Sequence, residues 1–473
     1  MSEQRFRSVA LLLCHGVFIT LVVLALQHWR MRVAYVDSAY QVFKWIDKPE
    51  WNIEAYRYSA ILPQALVKLL AVSGASVRNM LMAASAAHVL VGYVIFLVLA
   101  YGFRSLVQAI GVTVATVLCT RLTFYGMVLE ANYLLCYPFL VFGFWSWISL
   151  HSRRIAWWHH VMGACLLVPV LMVHPMGWPI MLYGVAWYAL NERRTWSLMG
   201  SAVVIIAVWA IWNRTWFPVS DYEMDFYHTM EQGIDRLDRF WSWPSTEYVI
   251  DHTVAATSNF LLLWIVLLAS LLALTLQRRF LSAVLVLLAV MGFLFVNLLS
   301  TCLGQEAMMM EKSVLPVASI VALPFADVLV RSARRWAWAA LFVLMAVLVL
   351  RVRVVSMVSR NFVPRTDAIV HVIADARAQG HQVMRISSAN ADRYGLERTW
   401  ALTFETVLLS AADRSGPCVT VMPMEDEQVA PDGGIRNAPF WYYVVNSGFD
   451  QRYFPVPNMR PGDMPVLVPA NDG

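Results

Sequence analysis

The sequence predicts an all-α polytopic membrane protein of about 11 transmembrane helices, followed by a small C-terminal extracytoplasmic α/β domain. First, 59% of the 473 residues are hydrophobic and only 14% are charged, which is too little polar surface to cover a soluble globule of this length. Second, the apolar residues gather in runs long enough to cross a bilayer. Third, the chain becomes more polar after residue 351, and long apolar runs give way to a mixture of apolar and polar residues. These contrasts divide the chain into a transmembrane part, 1–350, and a soluble part, 351–473.

Apolar windows of about 17 to 20 residues define the predicted transmembrane helices. They lie at residues 9–26, 81–101, 106–119, 133–150, 155–173, 176–190, 197–212, 260–276, 280–299, 315–330 and 336–350. The first window starts close to the N-terminus and has no cleavage site of the A-x-A kind. We therefore expect a retained signal-anchor helix there.

The arginines indicate the orientation of these helices. If Arg5 and Arg7 stay in the cytoplasm, the alternation of the spans places four further arginine clusters on the same side. These clusters lie at residues 153–154, 193–194, 278–279 and 331–335. An odd number of helices then leaves the C-terminus outside. The sequence thus predicts a multi-pass protein of a bacterial inner (plasma) membrane, with a cytoplasmic N-terminus and an extracytoplasmic C-terminus.

The opposite face carries most of the polar sequence. It comprises a first external loop at 30–79, a second external loop at 217–259, a short loop at 305–312 and the tail. Within the tail, residues 367–378 have a helical period, while 382–386 and 418–422 have the pattern of short strands. This mixture predicts the α/β domain.

The first external loop is the best candidate for an active site. Its segment 33–70 places acids, tyrosines and Arg57 where a spanning helix emerges into water, and a plain connector would need far fewer residues. Asp37 follows the first span closely enough to lie at the membrane surface. The alternative for Asp37 is a solvated acid that caps the helix starting at Ser38.

Cations near the predicted outer ends of helices go against the positive-inside trend. The relevant side chains are Arg57, Arg121, His174 and Lys312, together with Arg214. A bound anion would explain them as a group. The alternative for each is a side chain that reaches to lipid headgroups. His174 has a further alternative as a structural residue of the turn HPMGWP, where two prolines must interrupt a helix.

The predicted architecture and two short motifs resemble the GT-C superfamily of polytopic membrane glycosyltransferases. The shared architecture is a cytoplasmic N-terminus, one span, a long external loop with an acid in YVDSAY (35–40), many further spans and an external C-terminal domain. One motif is RYS (57–59), which opens a helix after the acid, and the other is EKSVLP (311–316), which resembles the ERYLLP start of a late helix in lipid-linked-sugar transferases. Many members carry an Asp-Glu pair where this chain has Asp37 followed by serine. The resemblance covers about residues 1–350.

The resemblance implies transfer of a sugar from a polyprenyl-phosphate donor to a cell-envelope glycan, lipid or protein acceptor at the extracytoplasmic face. Such a transfer needs a carboxylate to take the acceptor proton, cations to stabilise the departing phosphate, and a groove open to the bilayer. We assign Asp37 as the general base and Glu54 as the second catalytic candidate, for which the alternative is a surface partner of Arg57. Four of the side chains against the positive-inside trend, Arg57, Arg121, His174 and Lys312, are assigned to the donor phosphate.

Six further polar side chains are expected to contact substrate. They are Tyr40, Tyr58, Tyr125, Glu130, Gln305 and Glu306. Segment 121–132 interrupts two apolar runs and is typical of a re-entrant piece that lines a cavity. For Gln305 and Glu306, the alternative is that they are ordinary polar residues of a loop. The sequence predicts no particular cofactor, and the use of a divalent cation stays open.

Other function classes fit the pattern less well. A transporter or flippase of a lipid-linked saccharide would show pseudo-repeated halves and charges at mid-membrane, whereas the polarity here lies at the outer face. A membrane acyltransferase of a surface polysaccharide would give His15 a role, but the surrounding CHGVFIT lacks the arginine-rich partners of that family. A non-catalytic scaffold is the remaining alternative. The net charge of +5 is small for this length and argues against nucleic acid as a partner.

Overall fold

The computed structural model is mostly helical. It describes residues 2–54, 57–127, 130–152, 154–216, 221–255, 259–396, 400–431, 434–439, 442, 445 and 448–469. The α-helices are α1 (Glu3–Gln27), α2 (Trp29–Val33), α3 (Asp37–Asp47), α4 (Ile61–Val72), α5 (Val77–Leu97), α6 (Leu106–Leu118), α7 (Tyr137–His151), α8 (Trp157–Leu171), α9 (Gly177–Asn191), α10 (Trp196–Trp216), α11 (Asp221–Ile234), α12 (Pro244–Val254), α13 (Leu261–Leu276), α14 (Phe280–Ser300), α15 (Ala307–Val358), α16 (Val363–Ala378), α17 (Ser388–Arg393) and α18 (Leu402–Ala412). Two short strands are β1 (Val383–Ile386) and β2 (Thr420–Pro423).

Within the described residues, six helical stretches are long and apolar enough to cross a membrane. They are Glu3–Gln27, Val77–Gly102, Glu130–His151, Trp196–Trp216, Phe280–Ser300 and Ala307–Ala378. Each of them covers at least one predicted span, which supports a membrane protein. The predicted spans at 106–119, 155–173, 176–190 and 260–276 correspond to the shorter helices α6, α8, α9 and α13, which have 13, 15, 15 and 16 residues.

Segment α15 is the central element of the membrane part, and it consists of two helices that meet at Trp336, whose φ of −127° and ψ of 46° are not helical. These helices cover the predicted spans 315–330 and 336–350, and the chain folds back between them, because Glu311 accepts from the Arg121 amide while Arg351 donates to the Thr120 carbonyl. Every residue from Met310 to Leu329 is buried, and α15 packs against α1, α6, α13 and α14. A helix that is buried on all sides tolerates few charges. Any charged side chain on this stretch therefore requires a physical explanation.

The helical hairpin between α4 and α5 is fixed by local sequence. Gly74 follows α4 with a positive φ of 75°, which glycine adopts without steric cost. Its amide donates to the Ala71 carbonyl at 3.1 Å, and the next amide, of Ala75, donates to the Leu70 carbonyl at 3.0 Å. This is the Schellman arrangement of a helix C-terminus. Ser76 then caps α5 by accepting from the Asn79 amide, so the first external loop returns directly into the membrane part.

The first external loop and the C-terminal segment share one hydrophobic core. The strands β1 and β2 pair in parallel, with Val383 opposite Thr420, and α18 packs on both β2 and α3. The Phe43 ring of α3 lies 5.0 Å from Phe404 and 5.2 Å from Phe454 between ring centroids. The segment after residue 351 is thus joined to the loop that carries Asp37. Its assignment as an independent α/β domain stays a prediction.

Removing the Phe43 ring should weaken this shared core. Phe43 is fully buried, so Phe43→Ala is expected to lower the free energy of unfolding by about 3 to 5 kcal/mol. Thermal unfolding in detergent, with limited proteolysis as the structural readout, should show the loop and the C-terminal segment becoming cleavable together. Leu69→Ala is the control because Leu69 is 67% exposed. Proteolysis that reached only one of the two segments would contradict a shared core.

Candidate functional site

Lys312 is a cation buried in the first turns of α15. Its side chain is only 7% exposed, and within the described part of the chain no hydrogen bond or ion pair reaches its ammonium group. The charges of Glu130, Arg57 and Asp37 act on it from nearby. Burying an ammonium group without a direct partner is expensive. Lys312 is therefore a place where an anion would be stabilised.

Arg57 and Glu130 form an ion pair beside Lys312. The Nη1 of Arg57 lies 2.8 Å from Oε2 of Glu130, and these side chains are 14% and 13% exposed. The Nε atom of Arg57 is buried without a hydrogen-bond partner among the described residues. One edge of the guanidinium thus keeps a free donor. The sequence assigned Glu130 to substrate, and the structure places it as the carboxylate that orients Arg57.

His174 adjoins the two cations as a neutral imidazole. Its side chain keeps some solvent-accessible surface, but many protein atoms surround it. This burial lowers the pKa of His174 well below its usual range, and the nearby charges of Lys312 and Arg57 lower it further. The Met176 amide donates to Nδ1 at 3.2 Å, which requires that nitrogen to be unprotonated. Nε2–H is then the available donor. Gly177 permits this tight turn, since a Cβ there would lie 2.6 Å from the Val170 carbonyl oxygen.

Asp37 lies at the exposed side of this group. It is the first residue of α3 and is exposed to solvent, while its charge reaches Lys312. The preceding residue, Val36, has a positive φ of 39°, which is a strained conformation for a β-branched side chain. Strain of this kind persists only where surrounding contacts enforce it. The carboxylate is thus presented by a tightly held turn at the entrance to the cationic group.

These five residues form one cluster, which we call the Lys312 cluster: Asp37, Arg57, Glu130, His174 and Lys312. Two cations and two carboxylates balance formally, but Glu130 is committed to Arg57 and Asp37 stands at the surface. The interior of the cluster is therefore electropositive, with an imidazole donor beside it. Such an arrangement can bind a phosphate-like anion inside and keep a carboxylate as a proton acceptor at the rim.

Glu54 belongs to a separate network on α3 and the loop that follows. Its Oε1 lies 2.9 Å from Nζ of Lys44, and it also accepts hydrogen bonds from the amide groups of Gln41 and Asn52. The same lysine donates to the hydroxyl of Tyr40 at 3.4 Å. Glu54 is not the ion-pair partner of Arg57, which was its alternative role, because Arg57 pairs with Glu130.

Arg121 pairs with Glu311, the residue before Lys312. Nε of Arg121 lies 3.3 Å from Oε2, and its amide donates to Oε1 at 2.7 Å. The amide and the hydroxyl of Thr123 also donate to Oε1, at 2.9 and 2.8 Å. Glu311 is fully buried and was not among the predicted site residues, although the EKSVLP motif contains it. This pair joins segment 121–123 to the start of α15 and leaves Lys312 as the neighbouring unpaired charge.

The remaining predicted substrate contacts differ in their positions, and two of them adjoin cluster residues in the chain: Tyr40 lies one turn after Asp37 on α3, and Tyr58 follows Arg57. Tyr125 is fully buried, stacks on Phe362 with 4.7 Å between centroids, and donates to the Val355 carbonyl at 3.1 Å. Tyr40 packs on Phe404 of the C-terminal segment at 5.1 Å. Three others are exposed at the surface: Tyr58, Gln305 and Glu306. The structure does not bring these five residues into contact with Lys312, and their roles stay predictions.

Two residues of the C-terminal segment reach the Asp37 turn, and sequence reasoning did not assign them. Oε1 of the buried Glu405 accepts a hydrogen bond from the Val36 amide at 2.8 Å, and Nη2 of Arg365 lies 2.8 Å from Oε2 of the same carboxylate. The only sequence signal was a single acid within the apolar helix LTFETVLLSAA. Such an acid must find a partner when it is buried.

Among the described residues, no group of three or more His, Cys, Asp or Glu side chains could hold a metal ion. No family model, curated protein or solved structure matches this chain.

The stability of the protein should depend on pH through His174. Its pKa is lowered in the folded state, so the unfolded state binds the proton more readily once the pH falls below about 6.5. This contribution is present above that pH and is lost below it, at a cost of about 2 kcal/mol by pH 5. His174→Asn keeps an acceptor for the Met176 amide and removes the titration. Thermal unfolding in detergent between pH 7.5 and 5 should show a smaller acid loss in this variant.

The matched control is His381→Asn, because His381 is an exposed histidine outside the Lys312 cluster. It should keep the acid loss of the wild type. An identical pH dependence in the wild type and His174→Asn would contradict a neutral buried imidazole.

Proposed function

We propose that this protein is an integral membrane glycosyltransferase that moves a sugar from a polyprenyl-phosphate donor to a cell-envelope glycan, lipid or protein acceptor on the extracytoplasmic face. The observation that carries the proposal is the Lys312 side chain, which is 7% exposed and which no hydrogen bond or ion pair from the described residues reaches, beside Arg57, His174 and Asp37. A charge left in this state favours an anionic ligand, and its place near the start of a buried helix suits a ligand that arrives from the membrane.

The proposed reaction is a direct displacement at the anomeric carbon. Asp37 takes the proton of the acceptor hydroxyl as the acceptor oxygen forms its bond to that carbon. The bond from the anomeric carbon to the phosphate oxygen breaks, and the polyprenyl phosphate leaves with the electron pair. Lys312, the free edge of Arg57 and Nε2–H of His174 stabilise the charge that develops on it. The anomeric configuration is inverted in this scheme.

The proposal includes a finer architecture than six long helices. The shorter apolar helices α6, α8, α9 and α13 complete a set of about 11 membrane segments together with the two parts of α15. An odd number places the two termini on opposite faces, and the arginine clusters favour an N-terminus in the cytoplasm of a bacterium and a C-terminus outside the inner membrane. The segment from residue 351 is then an extracytoplasmic α/β domain that covers the first external loop. Glu54, Tyr40 and Tyr58 face the acceptor side of the site in this arrangement.

The two alternative functions, membrane acyltransferase and flippase, have less support from the structure around their key residues. His15, which an acyltransferase would need as a reactive base, is held between two tyrosine hydroxyls, with Nδ1 2.8 Å from Tyr93 and Nε2 2.6 Å from Tyr101. A flippase needs a polar path across the membrane. The Arg279–Asp327 pair lies with Asn191 at the ends of helices, at the side predicted to be cytoplasmic, far along α15 from Lys312.

The general-base assignment is tested by transfer assays on the purified protein with polyprenyl-phosphate sugars. Asp37→Asn keeps the size of the side chain and removes its basicity, so kcat should fall by a factor of about 10² to 10⁴. Glu54→Gln is the matched carboxylate control, and it should change kcat far less because Glu54 is already bound to Lys44. If the wild type and both variants turn over at the same rate, the assignment is wrong.

The phosphate-binding role of Lys312 predicts opposite changes in activity and stability. Lys312→Met removes a buried unpaired charge, so the free energy of unfolding should rise by about 1 to 4 kcal/mol. The same variant should lose transfer activity and affinity for polyprenyl phosphate. Thermal unfolding and donor binding measured on one preparation provide both readouts.

Lys68→Met is the control for this pair of measurements. Lys68 lies in the first external loop, which also carries Asp37 and Arg57, and its ammonium group already donates to the Lys48 carbonyl. It should bind donor like the wild type. Unchanged donor binding in Lys312→Met would rule out the role of Lys312, whatever the stability.

A further inference from the structure

The backbone before Asp37 is held in a conformation that it would not adopt on its own. Val36 has a φ of 39° and a ψ of −112°, outside the regions that a β-branched residue ordinarily occupies. A conformation of this kind costs about 1 to 3 kcal/mol and persists only where neighbouring contacts enforce it. The side chain that follows it, Asp37, takes its direction from this turn. The contacts that enforce the turn therefore determine where the Asp37 carboxylate lies.

The main enforcing contact comes from the other end of the chain. The Val36 amide donates to Oε1 of Glu405 at 2.8 Å, across 369 positions of sequence. Glu405 is fully buried, so this hydrogen bond is shielded from water. A buried carboxylate makes a stronger acceptor than a neutral group because the bond is charge-assisted. The hydrogen bond thus fixes the orientation of the peptide that leads into Asp37.

Glu405 is in turn fixed by Arg365. Nη2 of Arg365 lies 2.8 Å from both carboxylate oxygens, and Nε donates to Oε1 at 3.3 Å. The guanidinium also lies over the ring of Tyr35, 5.8 Å from its centroid. One buried ion pair from the C-terminal segment therefore contacts both residue 35 and residue 36. Three donors on one carboxylate leave it little freedom to move.

The far end of the same helix is fixed by the C-terminal segment as well. The Asp450 amide donates to Oδ1 of the buried Asp47 at 2.7 Å, at the last residue of α3. Between the two ends, Phe43 packs on Phe404. The C-terminal segment thus holds α3 at its start, its middle and its end.

We infer that Glu405 and Arg365 are positioning residues, which hold the Val36 turn so that Asp37 faces the electropositive interior of the Lys312 cluster. The inference rests on the proposed function for its catalytic consequence. Neither residue reaches the Lys312 cluster itself within the described part of the chain. Their effect passes through the Val36 amide and the backbone of the turn.

The test uses two double variants that differ in one hydrogen-bond acceptor. Arg365→Met with Glu405→Gln removes both buried charges and keeps an oxygen that accepts from the Val36 amide. Arg365→Met with Glu405→Leu removes the charges and the acceptor. The leucine variant buries no polar side chain of its own, so a lower activity cannot be ascribed to a new buried polar side chain. Both proteins are full-length and are purified in the same detergent.

The leucine double variant should have a kcat about 10- to 100-fold lower than the glutamine double variant, with the KM for polyprenyl-phosphate sugar within twofold. A loss of the fold would change both constants and the unfolding temperature. The difference between the two variants should also vanish when Asp37→Asn is added, because both act through the same carboxylate. Equal kcat values, or a difference that persists without Asp37, would overturn the inference.

Hydrogen exchange of the Val36 amide separates this inference from the proposed function. That amide should exchange at least about tenfold faster in the leucine variant than in the glutamine variant, since only the latter keeps an acceptor for it. If the wild type transfers no sugar from any polyprenyl phosphate, the proposed function fails while this measurement still decides whether Glu405 holds the turn. Equal exchange in the two variants would overturn the positioning role even in an active enzyme.

Discussion

The buried charge of Lys312 is the constraint on which the site depends. Its stretch of α15 is buried on every side, and a positive charge there is unfavourable unless something compensates it. The surrounding carboxylates do not compensate it directly, because Glu311 is bound by Arg121 and Glu130 by Arg57. The neighbouring pairs thus satisfy each other, and no hydrogen bond or ion pair from the described residues reaches Lys312. An anionic ligand relieves this imbalance, and the proposed sugar donor supplies one.

The other deeply buried cations differ from Lys312 in their hydrogen bonds. The guanidinium of Arg351 donates to the carbonyls of Val117, Thr120 and Asn259. Arg32 likewise donates to Ser85 and to the Phe124 carbonyl. Both arginines thus act as structural clamps between helix ends, and their five donors suit this role. The fold can therefore satisfy buried cations with backbone carbonyls, whereas no carbonyl of the residues that the structure describes accepts from Lys312.

The sequence predicted the members of the Lys312 cluster better than it predicted their pairing. Arg57, His174 and Lys312 stood out because cations are scarce at the outer ends of helices, and Asp37 stood out by its place after the first span. The partner of Arg121 could not be predicted, since Glu311 lies 190 positions away and meets it only when α15 packs against the end of α6. Tyr125 was expected in a cavity because polar residues interrupt the apolar pattern there. Its hydroxyl instead satisfies a buried carbonyl, which the pattern alone does not distinguish.

The sequence also predicted the outline of the fold more reliably than its boundaries. Hydropathy located the long apolar helices, because helical backbone and apolar side chains are both required in a bilayer. It also separated the spans 315–330 and 336–350, because the arginines between them have the composition of a loop, and the structure has two helices that meet at the non-helical residue Trp336. Hydropathy does not predict contacts between segments that are distant in the sequence. The hydrogen bond from Val36 to Glu405 is such a contact, and it couples the C-terminal segment to the turn before the carboxylate on which the proposed chemistry depends.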